Sequence, residues 1–165
     1  MLSNNKKYAV GLFLDFSEAF DTVNHKILLN KLTHYGIRGV ANHWINSYLD
    51  HIQQYCSYFD STSSKKYITC GVPQESILGP LLFLIYINDL GKIFKHATPI
   101  LFADDTNLIL TGNSLNETEH KLNEEIPLLT NWLYANRLSL NIKKPKCDGI
   151  WKQTTLWEFN SQHFY

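Results

Sequence analysis

The sequence predicts a single α+β domain, and three observations predict it. Residues 8–14 (Tyr-Ala-Val-Gly-Leu-Phe-Leu) form a short, nearly continuous apolar run with β-branched and aromatic members, which reads as a buried strand ending at Asp15. Residues 98–103 and 106–110 are two β-rich runs separated only by Asp104-Asp105, an antiparallel hairpin with two carboxylates at its tip. The remaining apolar segments mostly follow a helical period. With 165 residues and 44% hydrophobic content, the chain is long and apolar enough for one core and too apolar for intrinsic disorder.

From Ser17 the pattern turns helical, with Ala19, Phe20, Val23, Ile27, Leu28 and Leu32 on one face and a stop at Gly36. A second helix is expected over residues 40–51, with Trp44, Ile45, Tyr48 and Leu49 as its apolar face. Residues 53–59 and 65–72 read as two strands joined by the turn-rich stretch 60–64, and Pro73 closes the second. Ile77, Leu78 and residues 81–87 make a helix apolar almost all round, expected to be deeply buried, with Pro80 in its first turn. Ser114-x-x-Glu117 is a capping box opening a long amphipathic helix. Its expected stripe is Leu115, Leu122, Ile126, Leu129 and Leu133, with Glu117, Glu119, Glu124 and Glu125 in water and a kink or split at Pro127. A basic cluster follows at Lys143, Lys144 and Lys146, and beyond Cys147 the aromatic residues lose any period.

Fifteen Lys and Arg balance fifteen Asp and Glu, which argues against a polycation binding nucleic acid over its whole surface. Only two of the cations are Arg, Arg38 and Arg137, so provision for bidentate phosphate recognition is small. Cys56, Cys70 and Cys147 contain no C-x-x-C, which excludes a zinc ribbon and a thioredoxin-type site; they are expected to be reduced, with Cys70 in the core. The seven histidines show no metal-ligand spacing. With no apolar leader at Met1 and no bilayer-length apolar run, the expected setting is intracellular, in cytoplasm or nucleus, away from membranes.

Asp15, Asp104 and Asp105 each stand at the end of an expected strand. If those strands share a sheet, the carboxylates converge at one edge and offer the oxygen ligands that Mg²⁺ prefers, two ions roughly 4 Å apart serving phosphoryl chemistry. Taken singly, an Asp-Asp between strands is far more often an ordinary turn, and an Asp after a strand is far more often a helix N-cap.

Residues 14–23 (Leu-Asp-Phe-Ser-Glu-Ala-Phe-Asp-Thr-Val), 71–83 (Gly-Val-Pro-Gln-Glu-Ser-Ile-Leu-Gly-Pro-Leu-Leu-Phe) and 102–105 (Phe-Ala-Asp-Asp), in this order, resemble the palm motifs of reverse transcriptases, most closely those of non-LTR, LINE-like retrotransposons. Residues 138–144 look like the next motif of that family. The resemblance implies a polymerase palm over residues 1–146, a small antiparallel sheet with helices packed on one face, followed by a divergent tail over 147–165. It implies an RNA-directed DNA polymerase that adds dNTPs to a DNA primer 3′-OH along an RNA template, using Mg²⁺ or Mn²⁺.

By the same resemblance Asp15, Asp104 and Asp105 hold the metal and are catalytic. The backbone at Phe16 contacts the nucleotide, and Gln74 touches it. Phe20 stands where a bulky ring lies under the incoming sugar and excludes a 2′-OH, although it reads equally as a core residue of the helix. Lys144 matches a lysine that protonates or neutralises the leaving pyrophosphate.

Two positions depart from the pattern: Glu75 replaces a glycine, adding bulk and negative charge beside the triphosphate path, and Pro145 replaces a threonine. Fingers and thumb motifs are largely missing from this stretch, so the chain by itself is expected to grip a duplex poorly. The competing expectations are a non-catalytic retrotransposon-derived remnant or a protein-interaction module.

Overall fold

The computed structural model describes residues 8–50, 52–73, 76–102 and 105–141. The apolar run forms strand β1 (Tyr8–Asp15), and the expected hairpin forms β6 (Thr98–Phe102) and β7 (Asp105–Gly112). These make one antiparallel sheet in the order β1-β7-β6, so among the described residues the first strand pairs with the last. The register sets Tyr8 opposite Gly112 and Asp15 opposite Asp105. Because side chains alternate along a strand, Leu12, Leu14, Thr106, Leu108 and Leu110 are buried on one face, while Phe13, Asp15, Asp105 and Asn107 point to the other. Phe102 pairs directly with Asp105, so Asp105 is the first residue of a strand and not part of the tip.

The buried face is covered by α4 (Leu115–Ala135), which packs on β7 and β1. Ser114 caps this helix as expected, its Oγ accepting the Glu117 N–H at 3.1 Å. The Glu117 carboxylate reaches one residue further back than in a standard box, accepting from the Asn113 N–H at 2.8 Å. Lys121 also holds that carboxylate below the usual glutamate range. Three expectations for this helix are corrected. It is not split at Pro127 but runs through it as one element, because packing of Leu129, Trp132 and Leu133 into the core offsets the roughly 3 kcal/mol of an interior proline. Leu115 is exposed. Glu125 is buried, its Oε1 accepting the backbone N–H groups of Lys95, His96 and Ala97 ahead of β6.

The other helices differ from the sequence pattern where backbone partners intervene. α1 (His25–His34) begins only after Asn24, whose side chain accepts the Ile27 N–H; residues 17–22 are turns, with Glu18 at φ 49°. The carbonyls of Phe20 and Val23, which a continuous helix would use, instead accept the N–H groups of Val72 and Gly71 at 2.8 Å each. Gly71 sits at φ 93° with the Asp21 backbone so close that a Cβ would stand 3.1 Å from its carbonyl oxygen. Cys70, beside it, is exposed rather than in the core. α2 (Gly39–Leu49) buries only Leu49 fully and leaves Trp44 exposed, stacked on Tyr48.

α3 (Leu78–Ile87) buries Leu82, Phe83, Tyr86 and Ile87 but exposes a ridge of Ile77, Leu81 and Leu84, so it is not buried all round. Uniform hydropathy hid which side faces the core. Gly79 lies so close to the Pro73 carbonyl that any side chain would displace it. The Tyr86 hydroxyl donates to the Asn136 carbonyl at 2.6 Å and accepts from the Asn24 N–H, and burial raises this phenol above the usual tyrosine range. Lys31 Nζ donates to the Tyr86 carbonyl and to Asp89 Oδ1, both at 2.6 Å. Burial lowers its pKa, against the pull of Asp89.

Between α2 and α3 lies an arm of two short ladders: β2 (Gln53–Gln54) with β5 (Lys66–Tyr67), and β3 (Ser57–Tyr58) with β4 (Ser61–Thr62). The turn is Phe59-Asp60, and Ser61 and Thr62, expected in a turn, are paired.

Candidate active site

Two of the three expected carboxylates fall within the described residues, and the sheet brings them together. Asp15 ends β1, Asp105 opens β7, and they are register partners on the face turned away from α4. Directly opposite residues of an antiparallel pair have Cβ atoms roughly 4.5–5.5 Å apart, and two like charges so placed are destabilising. A divalent cation bound by their oxygens removes that repulsion, so the donor set fits Mg²⁺ or Mn²⁺. Among the described residues no third His, Cys, Asp or Glu joins them; Asp104 lies outside the described residues.

Asp15 is further fixed by a residue the sequence reading did not single out. The Asn141 N–H donates to the Asp15 carbonyl at 2.8 Å, and Asn141 Nδ2 donates to Asp15 Oδ2 at 3.2 Å. Asn141 arrives there because Phe16 and Leu140 form an antiparallel bridge, closed also by the Ser17 N–H donating to the Ser139 carbonyl at 2.9 Å. The signal available was the short apolar alternation over residues 138–142, strand-like in pattern and containing one amide side chain.

Phe16 is buried, its ring edge-on to Phe83, so only its backbone is available to a ligand. Its N–H and C=O point away from residues 139–141, because flanking Asp15 and Ser17 make the bonds on that side. Phe20 is half-buried, 5.0 Å from the Phe83 ring. It is therefore both a packing residue and a partly accessible ring. Gln74, Glu75, Lys144 and Pro145 lie outside the described residues. Flanking Gln74 and Glu75, Ser76 Oγ donates to the Pro73 carbonyl at 2.7 Å and accepts from the Gly79 N–H at 2.9 Å.

Residues 1–155 match the reverse transcriptase (RNA-dependent DNA polymerase) family. The chain belongs to the reverse transcriptase family. It is 30% identical over 154 residues to the probable RNA-directed DNA polymerase from transposon BS of Drosophila melanogaster, covering 86% of this chain. It is 31% identical over 157 residues, 88% of this chain, to the RNA-directed DNA polymerase from mobile element jockey of the same organism. The polymerase from transposon X-element is 26% identical over 157 residues, 89% of this chain. In each case the match spans 16% of the relative's length. These relatives bear out the likeness to non-LTR retrotransposon polymerases. No helix among the described residues is long and apolar enough to cross a membrane.

Proposed function

We propose that this chain is the palm of an RNA-directed DNA polymerase of a non-LTR retrotransposon, acting in nucleotidyl transfer of dNTPs to a DNA primer 3′-OH along an RNA template. The observation that carries the proposal is the in-register placement of Asp15 and Asp105 on the open face of the sheet. Asp15, Asp104 and Asp105 hold Mg²⁺ or Mn²⁺, which when bound supplies activation of the attacking hydroxyl and charge neutralisation at the leaving phosphate. Asn141 positions the Asp15 carboxylate, the Phe16 backbone and Gln74 orient the nucleotide, and Phe20 limits the space beneath its sugar. Lys144 offsets charge on the departing pyrophosphate.

Primer extension on an RNA template tests this. Loss of at least about a hundredfold in rate is expected for Asp105→Asn and for Asp104→Ala/Asp105→Ala. Thermal melts give an independent readout: Mg²⁺ is expected to raise the melting temperature of the wild type and not of Asp15→Asn. A folded wild type that neither extends a primer nor responds to Mg²⁺ refutes the proposal. That result supports the second reading, a non-catalytic remnant of the family, which Glu75 in place of glycine favours. If Glu75 obstructs the nucleotide, Glu75→Gly raises extension.

A further inference from the structure

The segment that fixes Asp15 is itself placed by the end of α4. That helix closes in a left-handed turn, with Arg137 at φ 54°. The Arg137 N–H donates to the Tyr134 carbonyl at 3.1 Å, and the Leu138 N–H to the Leu133 carbonyl at 3.0 Å. Leu138 is buried in the core, and the chain then runs beside the end of β1. Beyond Leu138 it is thinly held: Ser139 is exposed, and Leu140 and Asn141 are only half-buried. Among the described residues two backbone bonds seat this segment, from the Ser17 N–H to the Ser139 carbonyl and from the Asn141 N–H to the Asp15 carbonyl. A stretch with so few buried contacts opens at low free-energy cost.

The third bond differs in kind. Asn141 Nδ2 donates to Asp15 Oδ2 at 3.2 Å, so one residue holds Asp15 by both its main chain and its carboxylate. Among the described residues no Lys, Arg or His pairs with Asp15 or Asp105. The amide matters chemically. A lysine or arginine in its place would neutralise the carboxylate and compete with a divalent cation for it. A neutral amide fixes the orientation of the carboxylate and leaves its charge intact. Carboxylates that bind metals are in turn oriented by hydrogen bonds of this kind.

We propose that Asn141 is a positioning residue that couples divalent-metal occupancy at Asp15 and Asp105 to the seating of residues 139–141 against β1. The amide that orients Asp15 Oδ2 sits on the same residue whose N–H seats the segment. An opened segment therefore releases the carboxylate, and a carboxylate held by a cation keeps the segment closed. The coupling is reciprocal: the factor by which seating raises metal affinity is the factor by which metal favours seating. The inference rests on the reading that these two carboxylates hold metal; the attachment of the segment to Asp15 does not.

Two measurements on the full chain, without nucleotide or primer, test this. The first is titration with Mn²⁺ alone, followed by the paramagnetic resonance of the free ion. The wild type is expected to bind and Asp15→Asn to lose binding. Asn141→Leu, which keeps the backbone N–H and removes the amide, is expected to bind about tenfold to a hundredfold more weakly. The second is hydrogen exchange read by mass spectrometry. Mg²⁺ is expected to slow exchange in the wild-type peptides carrying Ser17 and Asn141 by about fivefold or more, and to leave Asp15→Asn and Asn141→Leu unchanged. In EDTA, Asn141→Leu is expected to melt within about 4 °C of the wild type; a larger drop makes Asn141 a structural tie and overturns the proposal. Asn141→Leu binding Mn²⁺ like the wild type overturns the coupling and leaves the metal reading standing. So does a wild type that binds Mn²⁺ through Asp15 without protection of residues 139–141. A folded wild type that binds no Mn²⁺ removes both.

Discussion

The three-stranded sheet with its helices and the arm between α2 and α3 place their large apolar side chains to opposite effect. In the sheet, alternation sends Leu12, Leu14, Leu108 and Leu110 under cover and Asp15 and Asp105 to the open face. In the arm, Tyr55, Tyr58 and Phe59 remain exposed. Aromatic content therefore does not locate a core; a second layer does. In the body, side chains fix the backbone that presents the carboxylates. In the arm, the backbone presents side chains.

The comparison breaks most readily at Phe83, which is fully buried and touches both Phe16 and Phe20. Phe83→Ala is expected to cost about 3–5 kcal/mol in chemical denaturation; a loss below about 1 kcal/mol would mean that the body is packed no better than the arm. Tyr86→Phe is expected to cost about 1–3 kcal/mol, because the Asn136 carbonyl loses its buried donor. Its pH dependence sharpens the point. Burial raises the Tyr86 pKa above 10.0, so its stabilisation is full below pH 10.0 and is lost as pH climbs through the raised value. Tyr86→Phe is expected to remove that alkaline fall. The smallest effect is on the arm: Tyr58→Ala/Phe59→Ala is expected to change stability by no more than about 0.5 kcal/mol, and a loss well beyond that would place the arm's rings within the packing of the body.

Sequence pattern captured what local periodicity encodes. β1, the β6–β7 hairpin, the Ser114 cap and the stop at Gly36 are where residue types place them. It failed where distant partners decide. The helix expected from Ser17 gives way because Gly71 and Val72 take the carbonyls of Val23 and Phe20. Glu125 was assigned to water by its charge, although it lies three residues after Leu122 and four before Leu129, on the inward side of α4. At the site, Asp15 and Asp105 were legible as strand-end carboxylates, and their pairing needed only one shared sheet. Asn141 was not legible as a partner, because its contact with Asp15 spans almost the whole described chain.

The pairing of the first strand with the last has a consequence during synthesis. β1 leaves the ribosome long before β7, and its register partners follow only once residues 16–104 have been made. At a synthesis rate of about 5–20 residues per second this interval is on the order of 5–20 s. Throughout it the run Val10-Gly11-Leu12-Phe13-Leu14 lacks the strand it pairs with, and such an edge invites association with other chains. The nascent polypeptide thus carries an aggregation hazard in the strand that later holds Asp15, and delivering the hairpin promptly is what ends that exposure.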